Sequence, residues 1–577
     1  MLFSSGLFPS SQARRAFLRT LSAGVISFTP ALSMAQETSE QTSGNGSPLD
    51  DFIHRYMKAM NAPGLTLALA NKTSTVRTAG FGYTDVEQKL PVTPELLFEI
   101  GSITKSFVAL TLLQLREEGK LDLHKPVLDY LPWAPIQANY GEITIHHLLT
   151  HSSGLPDALG LFLTDPDARH TQGFAPGSHF HYANVGFTLL GYVIQTLDQR
   201  PWPDAVRSRI FEPLGMTSSR AVITDDTRVR RARSYVPFYT EGPYARQGRL
   251  APAGDLIFKD AAGSITSTPG DMARYMQMLL NRGQVGGRRV VSEESFALFS
   301  TPYIKSPVLS PTSFYGYGIG VDKVDGHTVL RHTGGMTSFA SSILVDLDGG
   351  VAAFASINAM QGYRPVPVTD FAVQLMNAET QKTQAPHAPE LPAEGIKNAG
   401  DYAGAYSSAD GKRVELVAQD DRLLIRADSA SVPLEHRGGD VFLATAPGWE
   451  HFPLVFGRAA AAKDSRQKGA VVELAHGADW YTNDKYSGPR TYPVMADLQQ
   501  FTGSYQSGSD WMGNLRIVER KGKLWAEGTT PLARIGNALF RFGEQAWIPD
   551  TAQFFYIVGG KAQLMKLNGA DLWRISD

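Results

Sequence analysis

The sequence predicts one large α+β domain followed by two all-β barrel domains, and three observations carry that reading. From Asp51 to about Glu379, strand-like runs at both ends bracket a helix-rich middle, the pattern of one large α+β domain, with α/β as the alternative. A proline-bearing stretch, residues 380–395, then interrupts all periodicity. Beyond it come short alternating runs separated by Gly and Asp turns, and this part of the chain repeats itself once.

Residues 1–35 stand outside that architecture. Arg14 and Arg15 precede Phe17, Leu18 and a weakly apolar run that ends in the small residues Ser33 and Ala35. This is the form of a twin-arginine export signal with a small-x-small cleavage site after Ala35. The polar stretch 36–50 reads as a flexible lead-in. Within 51–379, "LTLALAN", "TVRTAGFGYTD" and "SSILVDLDGGVAAFASIN" read as strands, and "SFVALTLLQLREEG", "VGFTLLGYVIQTL" and "DMARYMQMLLNRG" as helices. Residues 380–395, with Pro386, Pro389 and Pro392, read as an extended linker.

The repeats span 396–490 and 495–577. "DYAGAY" (401–406) answers "QFTGSY" (500–505), and "RVELVAQDDRLLIRAD" (413–428) answers "LRIVERKGKLWAEG" (515–528). Pro433-Leu434 answers Pro531-Leu532, Phe442 answers Phe540, and "HGADW" (476–480) answers "NGADLW" (568–573). Antiparallel units this short are most economically closed barrels, and small barrels are usually filled by their own side chains.

Composition narrows the function. The chain has 577 residues, a net charge of −2 and no basic block, which argues against a nucleic-acid surface. It has no cysteine, so disulfides, thiolate metal sites and cysteine nucleophiles are excluded. No stretch after the signal is long and apolar enough to span a bilayer, so no stable membrane anchor is expected. The expected location is the periplasm, with secretion as the alternative. The sequence calls for no metal and no organic cofactor, and it assigns no oligomeric state.

Chemistry enters at "EIGSITKSFVALTLLQL" (99–115). Ser102 and Lys105 lie three apart at the head of an apolar run, so on a helix they share a face. A lysine buried there loses solvation and becomes a proton acceptor. The competing reading is an N-capping serine with a surface lysine. The chain holds a second S-x-x-K, Ser465 to Lys468, in a charged stretch that reads as a solvated loop. Two further motifs accompany the first: Tyr182-Ala183-Asn184 before a helical run, and His332-Thr333-Gly334-Gly335 at a strand. Each has a decoy in the repeats, Tyr481-Thr482-Asn483 and His436-Arg437-Gly438, but only the first set runs Ser, Tyr, His across the mixed domain.

With "LLTHSSGLP" (148–156) and "GSITSTPGDMARYM" (263–276), that set resembles the penicillin-recognising serine hydrolases: class C β-lactamases, D,D-carboxypeptidases, D-aminopeptidases and related esterases. The resemblance covers nearly all of 51–379. It implies a β-lactamase/transpeptidase-like fold, an antiparallel sheet flanked by helices beside a helical region. It implies that Ser102 is acylated, that Lys105 is its proton partner, and that Tyr182 is the base, provided cations stabilise its phenolate. Asn184 would hold the substrate amide, and the backbone N–H groups of Ser102 and Gly335 would form the oxyanion hole, with Thr333 and Gly334 beside it.

His332 departs from the lysine usual at its place in lactamases and carboxypeptidases. A neutral imidazole is a poor holder of a carboxylate, and H-x-G resembles D-aminopeptidases and some esterases. The two repeats behind the main domain also resemble the D-aminopeptidase layout. The leading expectation is therefore a periplasmic acyl-enzyme hydrolase acting as a peptidase or amidase on small peptides or amino-acid amides. The alternatives are an esterase or β-lactamase of the same family, or a penicillin-binding or ligand-sensing protein that acylates without turnover. His147 and His151 have a helical metal-ligand spacing without a third ligand and read as structural. His179 and His181 read as pocket walls or strand residues. The stretch 507–514, "SGSDWMGN", is a candidate to reach the pocket from the second repeat.

Overall fold

The computed structural model describes residues 47–576 apart from 159, 239–242, 361, 392–394, 428–429, 446–447, 461–468 and 510–512. The twin-arginine segment, most of the lead-in, Ser465 and Lys468 lie outside the described residues, as do Asp510, Trp511 and Met512 of the "SGSDWMGN" stretch. The lead-in is shorter than its sequence suggests. Ser47 accepts a hydrogen bond from Asp50 N and Pro48 begins a helix, α1 (Pro48–Met60), because an N-cap serine followed by proline at the first position starts a helix.

The first domain is built on a nine-stranded antiparallel sheet. Its strands in chain order are β1 (Gly64–Asn71), β2 (Thr75–Asp85), β3 (Leu90–Pro91), β4 (Ile304–Lys305), β5 (Phe314–Tyr315), β6 (Gly320–Val324), β7 (His327–Gly335), β8 (Ala340–Asp346) and β9 (Val351–Ile357). The spatial order is β4-β5-β6-β7-β8-β9-β1-β2-β3. The N-terminal hairpin thus joins the C-terminal one through β1 and β9, with Leu65 opposite Ile357. Every residue of β8 and β9 is buried, which is why both read as unbroken apolar runs rather than alternating ones. One face of the sheet is covered by α1 and the C-terminal helix of this domain, Val366–Gln381. The other face meets the helix Pro269–Leu280 and, beyond it, the helical region.

α2 (Thr104–Glu117) runs through the middle of that helical region and is buried all round, from Phe107 to Leu115 with only Gln114 partly exposed. α3 (Asn184–Asp198) packs beside it. The linker is not a free tether: Ala388 and Leu391 rest on the core under α1.

Both repeats close into eight-stranded barrels, Gly404–Ser407 to Asp479–Thr482 and Gly503–Ser507 to Ala570–Ser576. Matched residues do matched work. Tyr406 donates to Tyr402 O and Tyr505 to Phe501 O, each at 2.9 Å. Leu434 and Phe442 lie in the first core where Leu532 and Phe540 lie in the second. Side chains fill both interiors. The decoy Tyr481 is a core residue of the first barrel, and His436 sits beside Phe442 there.

Candidate active site

Ser102 stands in a single tight turn, Gly101–Ile103, immediately before α2. Neither the turn nor the helix has a side-chain cap, so the serine is not an N-cap. The turn presses against the end of β7 so closely that side chains are impossible at two positions. A Cβ on Gly101, whose φ is +54°, would lie 2.6 Å from Gly335 N, and one on Gly334 would lie 1.9 Å from Ile100 O. This contact sets Ser102 beside Gly335, where their backbone N–H groups can face one carbonyl oxygen.

Lys105 is wholly buried. Its Nζ donates to Ser102 Oγ at 3.0 Å, to Asn184 Oδ1 at 2.7 Å and to Ala262 O at 2.7 Å. Burial pushes the ammonium down to about 7, against the Asp157 and Asp260 carboxylates, which favour the charge. The lysine is therefore half neutral at neutral pH and in contact with the nucleophile. Asp260 is fixed behind it, accepting from Thr188 Oγ1 at 2.9 Å and from Ala262 N at 2.8 Å.

Tyr182 lies beside Ser102, and its ring centroid is 4.9 Å from Lys105 Nζ. Burial raises its phenol far above the ordinary value, outweighing the Ser102 hydroxyl and the Arg364 charge. The resting site thus holds a phenol, not a phenolate, and Lys105 is the group that titrates near neutrality. His332 is buried too, with Nε2 2.8 Å from Tyr315 Oη and Nδ1 2.7 Å from Thr333 O. The carbonyl accepts from Nδ1–H, so Nε2 accepts from Tyr315 and the ring is neutral. Burial, and then Lys105, hold its pKa down at about 3.

Asn184 has one orientation compatible with its neighbours. Lys105 requires the oxygen, and Asp157 Oδ1 accepts from Asn184 Nδ2 at 3.0 Å and from its backbone N at 2.9 Å. One Nδ2 hydrogen is left for a substrate. The cavity over Ser102 measures about 280 Å³ and is walled by Phe180, Tyr315, Val308 and Leu309. Arg364 closes its far side, so near Gly335 that a Cβ there would lie 2.3 Å from Nη2.

Ser102, Lys105, Tyr182, Asn184, His332, Thr333 and Gly335 come together at this cavity, with Gly334 behind it. Sequence reasoning missed Asp157, Asp260, Arg364 and Tyr315. It also undervalued His151, which is buried with its ring 4.1 Å from Tyr182 and its Nδ1 accepting from Ala183 N at 3.1 Å. His147 instead completes a capping box with Thr144. Among the described residues no cluster of His, Asp and Glu could hold a metal ion.

The comparisons with known proteins agree with this geometry. The family model described as Beta-lactamase matches residues 49–377, more than half the chain. The chain belongs to the Beta-lactamase family. Penicillin-binding protein 4* of Bacillus subtilis (strain 168) is 25% identical over 376 residues, 60% of this chain and 79% of the relative. Penicillin-binding protein 4 of Amycolatopsis lactamdurans is 30% identical over 282 residues, 45% of this chain and 72% of the relative. Among solved structures, the octameric penicillin-binding protein homologue from Pyrococcus abyssi is 25% identical, with a TM-score of 0.53 over 75% of this chain and 99% of that one. This Beta-lactamase-family chain is accordingly a serine hydrolase of the penicillin-binding-protein type, carrying two eight-stranded barrels behind the family domain.

Proposed function

We propose that the protein is an exported serine hydrolase that works through an acyl-enzyme on small peptides or amino-acid amides. The observation that carries the chemistry is a fully buried Lys105 whose Nζ touches Ser102 Oγ and whose pKa lies at about 7. In acylation, neutral Lys105 takes the serine proton as Oγ attacks the substrate carbonyl. Tyr182, beside Ser102, stands where it can pass a proton to the leaving nitrogen and later orient water on the acyl-enzyme. The Ser102 and Gly335 N–H groups hold the oxyanion, and Asn184 Nδ2 takes a substrate carbonyl.

The substrate class follows from His332. Its neutral ring is engaged by Tyr315 and Thr333, so it offers a substrate carboxylate no charge. Small neutral amides fit a cavity of about 280 Å³ with apolar walls. Arg364 favours a second reading, because its guanidinium stands over Gly335 and could pair with a carboxylate there, as on a β-lactam or a peptide C-terminus.

A fluorophosphonate probe tests the chemistry and a substrate panel tests the class. Ser102→Ala should abolish labelling, and a penicillin label on the parent should be lost during a chase. A penicillin label that persists indefinitely means a sensor. The panel sets amino-acid amides and short peptides against p-nitrophenyl esters and a chromogenic cephalosporin. Faster turnover of the cephalosporin, lost in Arg364→Ala, would replace the amidase reading with the β-lactamase one. Export is tested by the location of the processed protein in cells with and without Arg14 and Arg15.

A further inference from the structure

The second barrel meets the first domain beside the active site, and Asp157 is held at that contact. Asp550, on the barrel, accepts a hydrogen bond from Asp157 N at 3.0 Å through Oδ1. Asn568, also on the barrel, donates through Nδ2 to Asp157 O at 3.1 Å and to Asp550 Oδ1 at 2.8 Å. Both polar groups of the Asp157 backbone are thus held from the barrel, although nearly 400 residues separate them in sequence. The other oxygen of Asp550, Oδ2, lies 3.2 Å from His181 Nε2, one residue before Tyr182. Trp547 stacks on His179 with ring centroids 4.7 Å apart and planes 8° from parallel. A Cβ on Gly173 would lie 2.6 Å from Trp547 O, so the first domain is shaped to admit this segment.

What the barrel holds is what fixes Asn184. Asp157 lies in an irregular loop, where the backbone bonds from the barrel add to the two that its carboxylate accepts from Asn184. Its Oδ1 receives both N–H groups of Asn184. That bond holds the Nδ2 end of the Asn184 amide while Lys105 holds the Oδ1 end. With the carboxylate displaced, Lys105 alone holds the amide, and the Nδ2 end loses the acceptor that aims it. The contact of the barrel therefore reaches the proton acceptor through three hydrogen bonds in series, Asp550–Asp157, Asp157–Asn184 and Asn184–Lys105.

We infer that Asp550 is a positioning residue for catalysis: the second barrel, through Asp550 and Asn568, clamps Asp157 so that Asp157 orients Asn184 toward Lys105 and the substrate. The inference rests on the acyl-enzyme reading above. Asn514, at the end of the 507–514 stretch, lines a groove between the two barrels.

The test uses the full chain and p-nitrophenyl acetate, with the acylation rate read from the burst and Ser102 occupancy read by fluorophosphonate. Asp550→Ala should slow acylation about tenfold while the final label stoichiometry and the melting temperature stay near the parent's. Asp550→Asn, which still offers Oδ1 to Asp157 N, should retain the rate within about twofold. Asn568→Ala should lose rate in the same direction. In an Asp157→Ala background, Asp550→Ala should cost nothing further, since both act through one carboxylate. Equal losses in Asp550→Ala and Asp550→Asn, full additivity with Asp157→Ala, or an unchanged rate in both Asp550→Ala and Asn568→Ala would each overturn the inference. A parent protein that is never labelled at Ser102 overturns the acyl-enzyme reading and this inference together. A labelled parent with unaffected variants overturns this inference alone.

Discussion

Lys105→Met removes the group on which the mechanism turns, and its effect on stability can be worked from the site. Lys105 moves from an ordinary 10.5 to about 7 in the fold. That difference disfavours the buried ammonium by about 5 kcal/mol. The sign follows from proton binding. Between pH 7 and 10.5 the unfolded chain holds the proton and the folded chain has released it, so the parent gains stability as pH rises through that window. Replacing the lysine removes this dependence. At pH 7 the variant is relieved of about 4 kcal/mol, and at pH 10 of only about 1 kcal/mol. Against this stand the three bonds from Nζ, to Ser102, Asn184 and Ala262, worth roughly 1 kcal/mol each. Methionine fills a similar volume with no donor, so the variant should be more stable than the parent at pH 7 by about 1 kcal/mol and less stable at pH 10 by about 2 kcal/mol. The assay is hydrogen exchange of the Thr104–Glu117 amides in both proteins at matched pH, which reads the opening energy of this helix rather than of the barrels. The variant should be inactive throughout. A stability difference that stays constant from pH 7 to pH 10 would refute the depressed lysine, and with it Lys105 as the acceptor of the serine proton.

The same titration should appear in catalysis. kcat/KM is expected to rise about tenfold per pH unit up to pH 7 and then level off, because neutral Lys105 is the working form. His332→Gln should leave that limb in place, since burial keeps His332 neutral at every pH above about 3; a limb that vanishes would assign it to the histidine. Lys105→Ala and Tyr182→Phe should each lower the acylation rate by about a thousandfold or more, with the double variant little worse than either. Losses that add on a logarithmic scale would show two independent groups. Gly101→Ala should disrupt the nucleophile turn, because its Cβ meets the Gly335 backbone N and its φ is positive; an unchanged labelling rate would show that the turn tolerates displacement.

The central strands, the buried helices and the two barrels were legible in the sequence because each is written in a local period or a repeat. The three motifs were legible as a set because their chain order distinguishes them from decoys, of which Tyr481 and His436 lie in the first barrel. What surrounds the motifs was not legible, for a physical reason. Asp157, Asp260 and Arg364 are single residues in irregular segments, and each acts on the site through residues of other elements: Asp157 through Asn184, Asp260 beside Thr188 and Lys105, and Arg364 over Gly335. Their roles exist only once β7, α2 and α3 converge. The expected state of Tyr182 shows the same limit from the energetic side. A tyrosine beside a lysine suggests a phenolate, but the sign of the shift depends on burial, and here burial outweighs its cationic neighbours. The proton balance of the site is therefore set by how much water the fold excludes. By excluding it, the fold lowers the lysine and raises the tyrosine together, which leaves one acceptor and one donor on either side of Ser102 at neutral pH.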